Sequence, residues 1–237
     1  MSLSIKRFWQ NIWRTRSADP LAAKEFRREF EGNFRNCTWK PHPLYSVFTQ
    51  YDQEWYLAQQ EAFLHKYLCF YAVSKTIAPR RIIELGACAG ASGDPYLSAA
   101  PEADYLGIDV FGVNVRHDDG AEWDPYKIAE QLFYDRGFKN WRLLRTNLRT
   151  LNELPGEADF VVVDAAHDFD NEYADLQLAL TAKPTFIFID DADDENEAQP
   201  AIEKFLKEDL RDRVAYTFAV RYIGGGLVIK LENTNQH

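Results

Sequence analysis

The sequence has too few cysteines, too little positive charge and too short apolar runs for several classes of protein. Cys37, Cys69 and Cys88 are an odd number without metal-ligand spacing, so we expect reduced thiols in a reducing compartment. A formal net charge of −10 argues against general binding to nucleic-acid phosphates, which requires a basic surface. No apolar run approaches the roughly 18–20 residues that span a bilayer, and no signal-peptide pattern is present. These absences favour a cytoplasmic protein.

What remains is the composition of an ordinary globular protein. The 237 residues are 46% hydrophobic and 27% charged, which predicts one large domain, or one domain with a helical extension. The charge is unevenly distributed: residues 1–40 contain nine Lys or Arg against four Asp or Glu, so the remainder carries a net charge of −15. A basic segment beside an acidic body predicts that the segment docks on that body.

The part of the sequence before Pro79 predicts helices rich in aromatic residues. Residues 3–16 form an amphipathic pattern that suits a groove of the same chain, a second subunit or a membrane surface. A second helix is predicted at 20–31, with Asp19 as N-cap and Pro20 as first residue. A long helix at 52–78 carries an aromatic stripe at core spacing. Because aromatic residues concentrate at interfaces, these helices also predict a homodimer.

After Pro79 the pattern changes to alternating strands and helices. Strands are predicted at 81–85, 104–109, 141–145, 160–164 and 185–190, with helices near 91–100, 125–136, 170–182 and 198–208. Such alternation predicts right-handed βαβ units and a parallel sheet covered on both faces. Segments 214–222 and 227–231 flank three glycines with no helix between them, which predicts an antiparallel hairpin. The expected fold is α/β, a Rossmann-like doubly wound, mostly parallel seven-stranded sheet with an antiparallel C-terminal hairpin. Residues 1–79 would be an N-terminal helical extension.

Most of the predicted parallel strands end on or beside an acidic residue. These residues are Glu84, Asp109, Asp164, Asp190 and Asp191. Ligands of open parallel sheets bind beyond the carboxyl ends of the strands. Unpaired buried carboxylates are costly, so several at one rim call for hydroxyl donors or a cation.

The turn after the first predicted strand is glycine-rich but differs from a nicotinamide-binding turn. Gly86 and Gly90 allow a sharp turn and close approach of a ligand, while the spacing of a G-x-G-x-x-G fingerprint is absent. Asp109 follows Gly90 by 19 residues and is placed to accept hydrogen bonds from a ribose diol. A dehydrogenase remains an alternative that NADH binding would reveal.

In these segments the sequence resembles the class I S-adenosylmethionine (SAM)-dependent methyltransferases. ELGACAG is similar to their motif I, the end of YLGID to motif II, and FVVVDAAH to motif IV. The resemblance covers about residues 80–231 and implies a SAM-binding domain at 80–237. It also implies a cofactor site: Glu84 near the amino group of SAM, Gly86, Gly90 and Ser92 beside the methionine part, Asp109 on the ribose and Asn147 near the adenine.

A narrower resemblance concerns the acceptor. Asp164-Ala-Ala-His167, followed by Asp190-Asp191, is similar to the pattern of metal-assisted small-molecule O-methyltransferases of the macrocin and catechol types. It implies that Asp164, Asp190 and Asp191 bind Mg²⁺ and that His167 is the general base. Oxygen ligands suit a hard divalent cation, which lowers the pKa of a bound hydroxyl, and a histidine can then take the proton. The implied substrate is a hydroxylated small molecule such as a sugar, a phenolic compound or a glycosylated metabolite.

Several alternatives stay open at this level. The acidic residues 190–197 suit capping of the following helix, and His167 suits the cap of the helix after it. The loop at 111–124 is predicted to be a lid or substrate-recognition loop, with a surface insertion as the alternative. A metal-independent methyltransferase for an N or carboxylate acceptor and a non-catalytic SAM-binding or partner-binding module remain as alternatives.

Overall fold

The computed structural model describes residues 18–45, 53–112, 124–166, 168–194 and 197–232. The predicted helix at 3–16, most of the predicted lid loop and His167 lie outside these ranges. The helices are α1 (Pro20–Arg35), α2 (Gln53–Ile77), α3 (Gly93–Ala99), α4 (Pro125–Asp135), α5 (Phe169–Thr181) and α6 (Ala198–Glu208). The strands are β1 (Arg81–Leu85), β2 (Asp104–Asp109), β3 (Trp141–Arg145), β4 (Phe160–Val163), β5 (Phe186–Asp190), β6 (Val214–Val220) and β7 (Gly226–Leu231).

The seven strands form one sheet in the order β3-β2-β1-β4-β5-β7-β6. Strands β1 to β5 are parallel, and β7 is antiparallel to both of its neighbours, β5 and β6. The chain leaves β1 toward β2 and β3, then returns to place β4 on the other side of β1. A crevice opens at such a switch point, beyond the carboxyl ends of β1 and β4. The predicted fold class is confirmed, including the reversed strand of the hairpin.

The apolar strands have a core on each face of the sheet because successive side chains point to opposite faces. Ile83 and Val161 pack into a core shared with α5 and α6. Ile82 and Val162 pack into a core that includes side chains of α1, α2, α3 and α4. Burial on both faces explains why these strands are short, nearly continuous apolar runs.

The described N-terminal helices pack on this same sheet. Asp19 caps α1 by accepting a hydrogen bond from the Ala22 amide at 2.9 Å, as predicted. Phe26 and Phe30 of α1 place their rings 5.3 and 5.2 Å from the ring of Phe218 in β6. These aromatic side chains therefore contribute to the chain's own core. The homodimer and the division into residues 1–79 and 80–237 stay predictions.

The described helices also bear on the question of a membrane span. None of those within the ranges given above is both long enough and apolar enough to cross a bilayer.

Candidate functional site

The turn after β1 brings the ends of β1 and β4 into contact. Gly86 has a φ of 91°, in the left-handed region that favours glycine. A Cβ at this position would overlap the carbonyl oxygen of Asp164, the residue that follows β4. The close approach of these two strand ends therefore requires glycine at position 86.

Glu84 lies fully buried on β1 beneath this turn. The Tyr105 hydroxyl donates a hydrogen bond to its Oε2 atom, whereas Oε1 meets no hydrogen-bond geometry with the described residues. Burial raises the pKa of Glu84 to about 7, although the nearby hydroxyls of Ser92 and Tyr105 oppose the shift. A buried carboxylate at the strand switch point suits a ligand that brings a hydrogen-bond donor, such as an amino group.

Asp109 ends β2 with its carboxylate held by two backbone amides. Oδ2 accepts from the Cys88 amide at 3.0 Å, and Oδ1 accepts from the Phe111 amide at 2.6 Å. Each carboxylate oxygen keeps a further lone pair, so the oriented group can still accept from a ribose diol. The geometry fits the role that the sequence predicts for Asp109.

A cavity of about 300 Å³ lies over these strand ends. It is lined by three of the predicted cofactor-binding residues, Gly86, Asp109 and Asn147. Asn147 caps a short 3₁₀ turn (Leu148–Thr150) by accepting from the Arg149 amide at 2.9 Å. A larger cavity of about 390 Å³ between α1, α2 and β6 contains none of the predicted site residues.

The other predicted cofactor-binding residues lie outside the lining of this cavity. These are Glu84, Gly90 and Ser92. Gly90 packs near Phe133 of α4, and Ser92 precedes α3 without making a side-chain cap. Sequence reasoning missed the contact between Arg149 and the buried Asp175 of α5, which both line the cavity. We call the ends of β1, β2 and β3, with Glu84, Asp109 and Asn147, the cofactor side.

The acceptor side consists of Asp164, Asp190 and Asp191 at the ends of β4 and β5. One carboxylate oxygen from each residue lies within 4.8 Å of the other two. Although Asp164 is partly exposed, loss of hydration around its carboxylate and repulsion from Asp190 raise its pKa well above the usual range. The structure therefore brings together the three residues that the sequence predicted as metal ligands.

A lysine that the sequence reasoning missed lies against this trio. Lys66 of α2 places its Nζ atom 2.6 Å from Asp190 Oδ2 and 3.4 Å from Asp191 Oδ1, with only 12% of the side chain exposed. Burial lowers the pKa of Lys66, but the carboxylates of Asp190, Asp164 and Asp191 more than offset this and raise it above its ordinary value. The contacts with these carboxylates therefore favour the protonated, ammonium form of Lys66.

The terminal hairpin contacts the acceptor side through a side chain and through its glycine turn. The Tyr222 hydroxyl donates to Asp190 Oδ1 at 2.5 Å. The loop after β5 donates backbone hydrogen bonds to the glycine turn of the hairpin. One of them runs from the Asp193 amide to the Gly224 carbonyl oxygen at 2.8 Å. A Cβ at Gly224 would overlap Asp191 Oδ1. The glycines predicted as a hairpin turn thus also allow that turn to approach the acidic loop.

Glu172 adds a further carboxylate behind the acceptor side. It is buried on α5, and burial together with repulsion from Asp190 and Asp191 raises its pKa to about 8. His167, the predicted general base, lies outside the described residues. Asp168 caps α5 by accepting from the Asn171 amide at 3.1 Å.

The acceptor side has one feature that suits the predicted Mg²⁺ and one that opposes it. The spacing of the three carboxylates suits oxygen ligation of a divalent cation. However, Lys66 and Tyr222 already contact the two oxygens of Asp190, and an ammonium repels a second cation at the same carboxylate. The trio in this arrangement does not fit a divalent ion together with Lys66, and Mg²⁺ stays a prediction.

The strand order, the reversed β7 and the crevice between β1 and β4 define the fold of the class I SAM-dependent methyltransferases. Solved structures share it over most of the chain. An S-adenosylhomocysteine-bound methyltransferase of Podospora anserina has a TM-score of 0.55 and 15% identity, over 90% of this chain and 98% of that one. The SAM-bound O-methyltransferase TomG of Streptomyces achromogenes, involved in tomaymycin synthesis, has a TM-score of 0.54 and 15% identity, over 88% and 99%.

A methyltransferase of Geobacter sulfurreducens is similar as well, with a TM-score of 0.53 and 13% identity over 86% of this chain and 95% of that one. Compared by sequence, the chain matches no family profile and no curated protein. At these identities the structural likeness establishes the fold, so the activity has to be argued from the site.

Proposed function

We propose that this chain is a SAM-dependent O-methyltransferase acting on a hydroxylated small molecule, such as a sugar, a phenolic compound or a glycosylated metabolite. The observation that carries the proposal is the cavity of about 300 Å³ at the strand switch point, with the oriented Asp109 carboxylate on its wall. The buried Glu84 carboxylate on the neighbouring strand supports it, because the resemblance places the amino group of SAM near this residue. Structural neighbours that hold SAM or its demethylated product provide further support.

The proposed reaction is a direct displacement at the sulfonium methyl group. The acceptor oxygen forms a bond to the methyl carbon while the carbon–sulfur bond breaks, and the bonding pair remains on sulfur. The hydroxyl proton passes to a base, for which His167 is the predicted residue. Alignment of the reactants supplies much of the rate, since well-oriented reactions reach effective molarities of about 10⁵–10⁸ M.

The cofactor side would bind and orient SAM, and the acceptor side would receive the hydroxyl. Asp164 lies where the two sides meet, because its carbonyl oxygen packs on Gly86. A metal-independent reaction agrees with Lys66 at the acceptor side. Mg²⁺ assistance through Asp164, Asp190 and Asp191 is the second candidate, favoured by the spacing of the three carboxylates.

Three accompanying proposals concern partners and location. A small molecule is the proposed partner, and the net charge of −10 argues against nucleic acid. A homodimer through the N-terminal aromatic helices and a cytoplasmic location remain predictions. Size-exclusion chromatography with light scattering would measure the oligomeric state.

Calorimetry with SAM and with S-adenosylhomocysteine tests the cofactor directly. We expect binding of both, followed by conversion of SAM to S-adenosylhomocysteine with catechols, other phenols or sugars as acceptors. Turnover in Mg²⁺ and in EDTA separates the two candidates for the acceptor side. Binding without turnover on any acceptor would favour the non-catalytic module. Failure to bind either compound would refute the methyltransferase proposal.

A further inference from the structure

Lys66 lies where the motif resemblance places a metal. We propose that the Lys66 ammonium is the resident cation of the acceptor side and takes the place of a divalent metal there. This inference rests on the proposed function for its catalytic meaning, because the trio faces an acceptor only if the chain transfers a methyl group. It also makes the N-terminal extension, which supplies Lys66, part of the active site.

The position of Lys66 is fixed from several directions. Its ammonium contacts Asp190 and Asp191, as described above. The same Nζ atom lies 5.6 Å from the ring centre of Phe70 and 5.7 Å from that of Tyr222, within the range of cation–π attraction. A side chain held by two carboxylates and two rings is a built part of the site.

The charge balance of the acceptor side explains why a cation is needed. Asp164, Asp190 and Asp191 bring three carboxylates together, and Glu172 is buried behind them. Buried carboxylates persist when they are paired. Lys66 is the cation that the described structure places against the trio, so the rim gains positive charge from the protein itself.

An ammonium and a divalent ion offer an acceptor different chemistry. A divalent ion chelates two vicinal hydroxyls and prefers a diol. An ammonium has three N–H donors on a compact point charge, and Asp190 and Asp191 occupy two of those of Lys66. The acceptor side described here therefore suits an acceptor that presents one hydroxyl, and a vicinal diol is not required.

The proposal is tested by titrating the intact protein with Mn²⁺ alone. Binding is measured as the decrease in the electron paramagnetic resonance signal of the free ion. We expect only weak binding by the wild type. Lys66→Met removes the ammonium and leaves the carboxylates, so it should bind Mn²⁺ at least about a hundredfold more tightly than the wild type. Lys75→Met, a change at an exposed lysine of the same helix, is the matched control and should behave like the wild type.

Activity provides a second measurement. The wild type should methylate a monohydroxyl phenol in EDTA, whereas Lys66→Met should do so only after Mn²⁺ is added. Lys66→Gln, which keeps a hydrogen-bond donor, replaces Lys66→Met if circular dichroism shows that the latter is unfolded. A merely structural role for Lys66 would produce no gain of metal binding in either variant.

Two outcomes would overturn the inference: stoichiometric Mn²⁺ binding by the wild type as tight as that of the variants, or folded variants that bind no Mn²⁺. Calorimetry with SAM on the same samples keeps the two proposals apart. If the wild type does not bind SAM, the methyltransferase proposal is refuted, whatever the result of the Mn²⁺ titration. Intact SAM binding with a failed metal result refutes only the role of Lys66.

Discussion

The cofactor side and the acceptor side both contain acidic residues at the ends of neighbouring strands, but their charges are held in different ways. On the cofactor side, Asp109 is held by backbone amides of Cys88 and Phe111, both within 21 residues along the chain. On the acceptor side, Asp190 is held by Lys66 of α2 and by Tyr222 of the terminal hairpin.

This difference separates a site made by local backbone from one assembled by distant elements. Backbone amides persist under any substitution except proline, so the cofactor side depends mainly on turn geometry. Side-chain partners can change independently of the fold.

The largest expected effect comes from a substitution at Gly86, where the cofactor side meets the acceptor side. Gly86→Ala combines a strained φ with overlap on the Asp164 carbonyl, so the free energy of unfolding should fall by about 4 kcal/mol. Urea unfolding followed by circular dichroism measures this. Gly32→Ala in α1 is the control, because its Cβ meets no atom within 4 Å and should raise stability by about 0.5–1 kcal/mol. Equal midpoints for both variants would contradict the proposed close approach.

Glu84 should make stability depend on pH. Its pKa rises from 4.5 to about 7 on folding, so the folded state binds more protons than the unfolded state between these values. The contribution of Glu84 to stability is therefore fully present below pH 4.5 and should fall by about 3 kcal/mol as the pH rises to 7. Urea unfolding of the wild type and of Glu84→Gln across this window measures the difference. A constant difference between the two proteins would show that Glu84 does not titrate as stated.

Asp109 tests the cofactor side in solution. Asp109→Ala removes the acceptor for the ribose diol, and the dissociation constant for SAM should rise about a hundredfold, since hydrogen bonds to charged groups contribute about 1.5–3 kcal/mol. Calorimetry measures it. Asp104→Ala, at the opposite end of the same strand, should leave SAM affinity unchanged. A similar loss in both variants would point to disruption of β2 rather than of a ribose contact.

Tyr222 gives the smallest expected effect and the most selective one. Tyr222→Phe removes the hydroxyl that orients Asp190, so kcat/KM for the acceptor should fall about five- to tenfold while SAM affinity stays the same. Steady-state kinetics and calorimetry give the two values. Tyr134→Phe, at a residue that is 77% exposed, is the control. A parallel loss of SAM affinity would mean that the two sides are not independent.

Much of the fold was predictable from local pattern. The predicted strands at 81–85, 104–109 and 141–145 coincide with β1, β2 and β3, because each is a short apolar run bounded by turn residues. Those at 160–164 and 185–190 differ from β4 and β5 by one residue. The three acids at the ends of β4 and β5 were predictable for the same reason, since parallel strands end at one edge of the sheet.

Lys66 was not predictable in this way, because its partner Asp190 is 124 positions away and sequence order says nothing about which helix covers which strand end. A signal was nevertheless present. Lys66 lies three residues after Phe63 and one before Tyr67, at the border of the predicted aromatic stripe. A lysine buried at such a border requires an acid as partner. The ion pair of Arg149 with Asp175 was not predicted either, because these residues also lie far apart in the sequence.

The place of β7 has a consequence for how the chain folds while it is being made. Because β7 lies between β5 and β6, the open edge of β5 stays unpaired until residues 226–231 have left the ribosome. The turn that covers Asp191 arrives with the same hairpin. The nascent chain can therefore form the strand ends of the cofactor side well before those of the acceptor side are covered, and Lys66 emerges long before its partners Asp190 and Asp191.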